Sequence, residues 1–339
     1  MPEPALDSHA PERRPVSPRA LALGSAVIAA LLVLVAFVAY RELIHYDRHA
    51  IEHVPAGADL ALRIDLEQVV LFDPVRRHLL PLVDRAPVGA GAIEPGRLLR
   101  LREAGVNLGM DLRELVFARQ PGGGWVLAFG GIFGSEPLVP RIEAVLRTEP
   151  EAHSSSAGGV LVLQPSGVAL AQADDQVLLV ASDAALLASV RAPGNGYEAI
   201  GLSRSGAAAF GALGGWLDGL GTTDTAAAAS PLARATARLG FGDPLELDAA
   251  LEHEAPVDVA TARHELDAWL GTPQDAGNFA PQADWGGERA LLARARLTQA
   301  SPTRVAVATT WARADFDRAV RSLAVWLEPR LHASGPVAR

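Results

Sequence analysis

Residues 112–146 read LRELVFARQPGGGWVLAFGGIFGSEPLVPRIEAVL. Leu112 to Ala118 and Trp125 to Gly130 are rich in residues that suit a pleated surface, and Pro121 to Gly124 between them are turn formers. Two such runs around a short turn predict an antiparallel hairpin. Leu138 to Arg147 then places apolar residues at helical spacing, which predicts an amphipathic helix. A hairpin running straight into a helix is the grammar of an α+β fold.

The same alternation extends in both directions. Asp59 to Asp65, DLALRID, predicts a half-buried strand, and Leu66 to Val83 a helix that Pro74 starts or kinks. Arg97 to Ala104 predicts a further helix. Val160 to Leu163, Gly167 to Ala171 and Gln176 to Ala181 predict three short strands, after which Asp183 caps a helix to Arg191. Further on, Ser230 with Pro231 reads as a helix start. Leu245 to Leu251 predicts a strand and Val257 to Leu270 a helix. Arg289 to Leu297 and Thr303 to Trp311 predict a hairpin around Ala300 to Pro302. The closing helix spans Ala314 to Leu331, with Phe316, Val320, Leu323 and Leu327 along one face.

Set side by side, the halves share a plan, and WVLAFGGIFGSEPLVPRIEAVL, ending at Leu146, parallels VAVATTWARADFDRAVRSL, ending at Leu323. The expectation is antiparallel sheets with helices packed on one face, built as two related α+β modules over 54–195 and 196–332. Chance recurrence within an α+β chain is the alternative reading.

Ahead of these modules, Ala20 to Tyr40 (ALALGSAVIAALLVLVAFVAY) contains no charged residue. As a helix it would be about 32 Å long, matching a hydrocarbon core of about 30 Å. Its eleven Leu, Ile, Val and Phe residues favour insertion by about 3–6 kcal/mol. A cleaved signal peptide would need small residues at −3 and −1, and the candidate positions pair Phe37 with Ala39 or Ala36 with Val38. The expected layout is a cytoplasmic tail over 1–18, a transmembrane helix over 19–41, a juxtamembrane helix over 42–53, and a disordered tail over 333–339. Arg13, Arg14 and Arg19 before the helix outnumber Arg41 and Arg48 after it, which sets the N-terminus inside and exports the rest.

Composition removes several function classes. The net charge is −9 over 339 residues, so no basic stripe is available to displace counterions from nucleic acid. All 30 basic residues are arginine, which excludes a P-loop, a kinase strand lysine and Schiff-base chemistry, and with them nucleotide binding through those motifs. The absence of cysteine excludes disulfides, thiolate nucleophiles, Cys-ligated zinc and a lipid-modified cysteine.

His45, His49 and His53 fall on one face of a helix, where neighbouring imidazoles could share a metal. The reading favoured here is solvated residues at the membrane surface. In Glu252-His253-Glu254, strand alternation separates the carboxylates from the imidazole. HELDAW (264–269) lacks the second histidine of a zincin helix, and GLSRSG (201–206) is one residue too long for a nucleophile elbow. Gly122 to Gly124 is a turn, and DGLGTTD (218–224) lacks the ligand spacing of a calcium loop. Trp285, in the polar loop Gly271 to Glu288, is an aromatic that could mark a binding surface. No catalytic residue and no cofactor is expected.

VPAGADLALRIDLEQVVLFDP (54–74), GVNLGMDLRELVFAR (105–119) and ALAQADDQVLLVASDAALLASV (169–190) occur in that order. This arrangement resembles a loose group of membrane-anchored extracytoplasmic bacterial proteins of unknown function. The resemblance is carried by structural residues, so it implies an envelope location and brings no site. The expected function is a non-enzymatic binding or structural module of the envelope, touching the bilayer through 20–40 and an envelope protein through its exported part. The competing expectation is an extracytoplasmic hydrolase with a dispersed Asp/Glu/His site.

Overall fold

Twelve strands pair edge to edge, every neighbour antiparallel, in the order β11-β12-β10-β9-β8-β1-β2-β3-β7-β6-β5-β4. The strands are β1 (Leu60–Asp65), β2 (Leu112–Arg119), β3 (Trp125–Gly131), β4 (His153–Ala157), β5 (Val160–Gln164), β6 (Ala169–Gln172), β7 (Val177–Ala181), β8 (Ala208–Leu213), β9 (Leu232–Gly240), β10 (Leu245–His253), β11 (Arg296–Ser301) and β12 (Arg304–Trp311). Six helices accompany them among the described residues: α1 (Leu66–Leu71), α2 (Asp73–His78), α3 (Leu138–Leu146), α4 (Ala184–Val190), α5 (Gly196–Ala199) and α6 (Arg313–Ala333), with a helical stretch over 259–264 besides. The computed structural model describes residues 46–79, 81, 111–133, 137–147, 153–214, 231–264 and 294–333. The chain divides into units Met1–His45 and Tyr46–Arg339, and every described residue belongs to the second. Ala20 to Tyr40, His45 and the helix expected over 97–104 lie outside the described residues. Among those described, no helix is long and apolar enough to cross a membrane.

The α+β expectation holds, with two corrections. The strands form one continuous sheet and not separate ones, because β1 pairs with β2 on one side and with β8 on the other. Pairing in this way leaves neither half with a bare central edge. Helices also cover both faces, not one. Leu186, Leu187 and Val190 of α4 pack with Ala169, Ala171 and Leu179, whereas Leu138, Val139 and Ile142 of α3 pack with Leu161, Leu170 and Leu178 from the opposite side. The reason is visible in β7, VLLVA, a continuous apolar run that buries both faces instead of alternating.

Two local readings also change. Leu232–Gly240, expected to follow a helix start at Ser230, is a strand paired with β8 and β10. Its residues LARATARLG alternate polar with small apolar, and the pairing on both sides overrides the helix propensity of Ala, Leu and Arg. The helix expected over Leu66 to Val83 is broken into α1 and α2 at Phe72, whose extended backbone precedes Asp73 and Pro74 at the start of α2. Phe72 then stacks on Phe241 at 4.2 Å between centroids and meets Phe316 of α6 at 5.5 Å. The two sequence halves therefore share a core.

Strand order also recurs. β1, β2 and β3 form a meander whose third strand pairs with β7, the last strand of the next meander. β8, β9 and β10 do the same with β12, the last strand of its hairpin. β7 leads into α4 and β12 into α6. The counterpart of β12–α6 in this order is thus β7–α4, whereas the sequence parallel set it beside β3–α3.

Asp183 caps α4 as expected, its carboxylate accepting from the Leu186 amide at 2.8 Å. That amide bond holds the carboxyl below its ordinary value. D183A is expected to cost about 1 kcal/mol in urea unfolding at neutral pH. Because the folded value is the lower one, the contribution is complete above the unfolded carboxyl value of about 3.9. It is lost as pH falls through the folded value, so the gap between wild type and variant should close there.

Candidate functional site

The densest chemistry lies where the chain first meets the sheet. From Tyr46 to Val54 the backbone crosses the face of β1, β2 and β3 and includes a 3-10 turn at Ala50–His53. Ala50, Ile51 and His53 are buried. This face is lined by Ala61, Ala118, Ala128 and Ala209, and such small side chains allow a backbone to lie close. Gly130 is required there, since a Cβ would stand 1.8 Å from the Tyr46 hydroxyl.

Under this strap sits a fully buried ion pair. Arg63 and Glu114 both have 0% relative exposure. The Arg63 Nε donates to one oxygen of Glu114, and its Nη1 donates to the Gly206 carbonyl at 3.1 Å. The other Glu114 oxygen accepts from the Tyr46 hydroxyl at 2.7 Å and the Ala50 amide at 3.2 Å. Beside them Asp65 accepts from the Gln68 amide at 3.0 Å and pairs with Arg48 at 2.7 Å. Arg63 Nη2 lies 3.6 Å from Asp65, an ionic contact too long for a hydrogen bond. Two guanidiniums and two carboxylates balance. Burial, followed by the adjacent Glu114 charge, pushes the Tyr46 phenol well above its ordinary value, so it stays a donor. Every carboxylate oxygen here is engaged. The arrangement locks the strap to the sheet.

On the same face, beyond β8, no described residue forms a cover over the sheet. Register sets Arg234 and Thr236 of β9 beside Glu252 and Ala250 of β10, with Arg304 of β12 opposite Glu252. These residues and Gly201 line a shallow hollow of about 230 Å³. Gly201, at φ +72°, lets its loop lie on Thr236, where a Cβ would approach to 2.8 Å. Arg234 Nε donates to Glu252 at 3.0 Å and Arg238 pairs with Asp248 at 2.6 Å. The carboxylate of the hollow is bound to an arginine, which suits contact with a polar surface.

The structure separates the residues singled out in the sequence. His53 Nδ1 lies 2.7 Å from the Val190 carbonyl and therefore donates to it. His49 is half-exposed beside Asp47 and Glu52, at 3.9 Å and 4.0 Å. The expected helical continuation is replaced, over Tyr46 to His49, by irregular backbone with Arg48 at φ +48°. His49 and His53 accordingly face different surroundings. Among the described residues no group of three His, Cys, Asp or Glu side chains could hold a metal. Glu252 pairs with Arg234, and the register shifts between it and His253, which is buried, so simple alternation does not continue to the end of β10. Gly122 to Gly124 form the β2–β3 turn, with Gly123 at φ +85°. Trp285 lies outside the described residues.

No family model matches the chain, and no curated protein matches it. Among solved structures, crystal form I of the Treponema protein TP0453 is similar at a TM-score of 0.43 and 11% identity, covering 85% of this chain and 98% of that one. Crystal form IV of the same protein is similar at 0.46 and 9%, covering 84% and 97%. Both similarities are weak, and no function is drawn from them.

The buried joint gives a double-variant test. R63M strands Glu114 in the interior without its cation and is expected to cost about 3–5 kcal/mol in urea unfolding. R63M/E114Q removes the stranded charge while keeping an acceptor for Tyr46, and should recover much of that loss. Equal destabilisation by both variants would mean that the charge balance is not what matters.

Proposed function

We propose that the chain is a single-pass membrane-anchored protein of the cell envelope whose folded part lies outside the cytoplasm and serves as a non-enzymatic binding or structural module. The observation that carries this reading is the uncharged stretch Ala20 to Tyr40 followed within six residues by Tyr46, which is clamped into the sheet. The open face around Arg234, Glu252 and Arg304 supports a contact role, because its carboxylate is neutralised by an arginine and its floor is shallow. An envelope protein with a polar surface is the partner this face suits. Nucleic acid is disfavoured by a net charge of −9. The recurring strand order supports the further reading that the two halves are related modules.

Membrane attachment and orientation are tested together. The full chain should stay in the pellet after carbonate washing, and a C-terminal tag should be cut by protease added to intact spheroplasts. Release by carbonate would remove the anchor. A protected tag would place the domain in the cytoplasm.

A further inference from the structure

The sheet ends in two edges that differ in kind. β11 is disrupted at Gln299/Ser301, where its register with β12 shifts, and it carries Arg296. A bulge and a charge are the usual guards against another strand adding on. β4, HSSSA, has neither. It pairs with β5 over five successive positions without a shift, from His153↔Gln164 to Ala157↔Val160. It contains no proline, lysine, arginine or carboxylate, and Ser155 to Ala157 are exposed. Among the described residues no strand lies beyond it. Among the described residues, one side of this strand therefore presents backbone donors and acceptors ready for pairing.

We infer that β4 pairs antiparallel with β4 of a second copy of this chain, joining two sheets across a two-fold axis at Ser155. The occupant follows from the residues. An unrelated extended peptide would gain main-chain bonds but find no pockets for its alternate side chains, because this strand offers hydroxyls. A second copy in full overlap sets His153 opposite Ala157, Ser154 opposite Ser156 and Ser155 opposite itself, with no like charges facing each other. Cross-strand serines can also hydrogen-bond to each other. Such a contact is isologous, the commonest type in soluble oligomers. Five paired residues bury far less than the 1,200–2,000 Å² typical of stable interfaces. The dimer is accordingly weak in dilute solution and is favoured where copies are concentrated, as on a membrane. That last step rests on the anchored reading of Ala20 to Tyr40.

The chain lacks cysteine, so single thiols report without background. Full-length S155C in native membranes, oxidised with copper phenanthroline, should give a disulfide-linked dimer. Co-expressed S154C and S156C should cross-link to each other, and S166C in the β5–β6 turn should not. In chains carrying two different tags, S155K sets like charges opposite each other and should lower co-capture up to about fivefold. Absence of the S155C dimer while the protein stays in the carbonate pellet overturns the pairing. An S155C adduct to a different polypeptide overturns the choice of partner. If carbonate releases the protein, the anchored reading has failed separately. The same oxidation on the concentrated released chain then decides the pairing, a dimer supporting it and a monomer overturning it.

Discussion

Arg63 cannot reach water, and a guanidinium in that position has to be neutralised by groups brought to it. β1 supplies Asp65 two residues along, and β2 supplies Glu114 across the pair Asp65↔Glu114. The strap supplies Tyr46 and the Ala50 amide to the far side of Glu114. Three separate stretches of chain meet at one charge pair, so the register of β1 on β2 and the path of residues 46–54 are coupled. Slipping β1 by one residue would turn Arg63 to the opposite face and leave Glu114 buried alone.

This requirement also explains what the sequence conceals. DLALRID shows its alternation plainly, and a strand there is legible. Alternation alone would turn Leu62 inward and Arg63 out. The structure does the reverse: Leu62 is 37% exposed and Arg63 fully buried. Only the neighbouring strands decide the matter, because Glu114 and the strap lie on the Arg63 side and a local window contains neither. The hairpin over β2 and β3, α3, and the cap at Asp183 were legible for the opposite reason, being set by turn residues and periodicity within a few positions. β9 was hidden because Ala, Leu and Arg favour helix in isolation, and its pairing partners lie far off in sequence or follow the turn after Gly240. The hollow was beyond reach for the same reason, since Arg234, Glu252 and Arg304 converge only through the order β9-β10-β12.

The two halves divide the work of one surface. Along the strap-bearing face, β1, β2, β3 and β7 bury alanine, valine and leucine under the strap and α4. Past β8 the same face turns to cross-strand pairs of arginine with glutamate or aspartate over a floor of Thr236 and Ala250. The change falls where the cover formed by the described residues ends, at the loop after α5 that rests Gly201 on Thr236. A covered strand needs small apolar residues so that the cover can approach. One that no described residue covers needs charges that satisfy each other.

That division bears on how the domain would behave at a membrane. On the anchored reading, any pull on the tether arrives at Tyr46, and Tyr46 is fastened to Glu114 on β2 and through it to Arg63 on β1, the strand that joins the two halves. Load would enter at the middle of the sheet, where each strand is paired on both sides. Neither edge would carry it. β4 and β11 are then left to differ as their residues differ: β11 is guarded by a bulge and a charge, and β4 has neither.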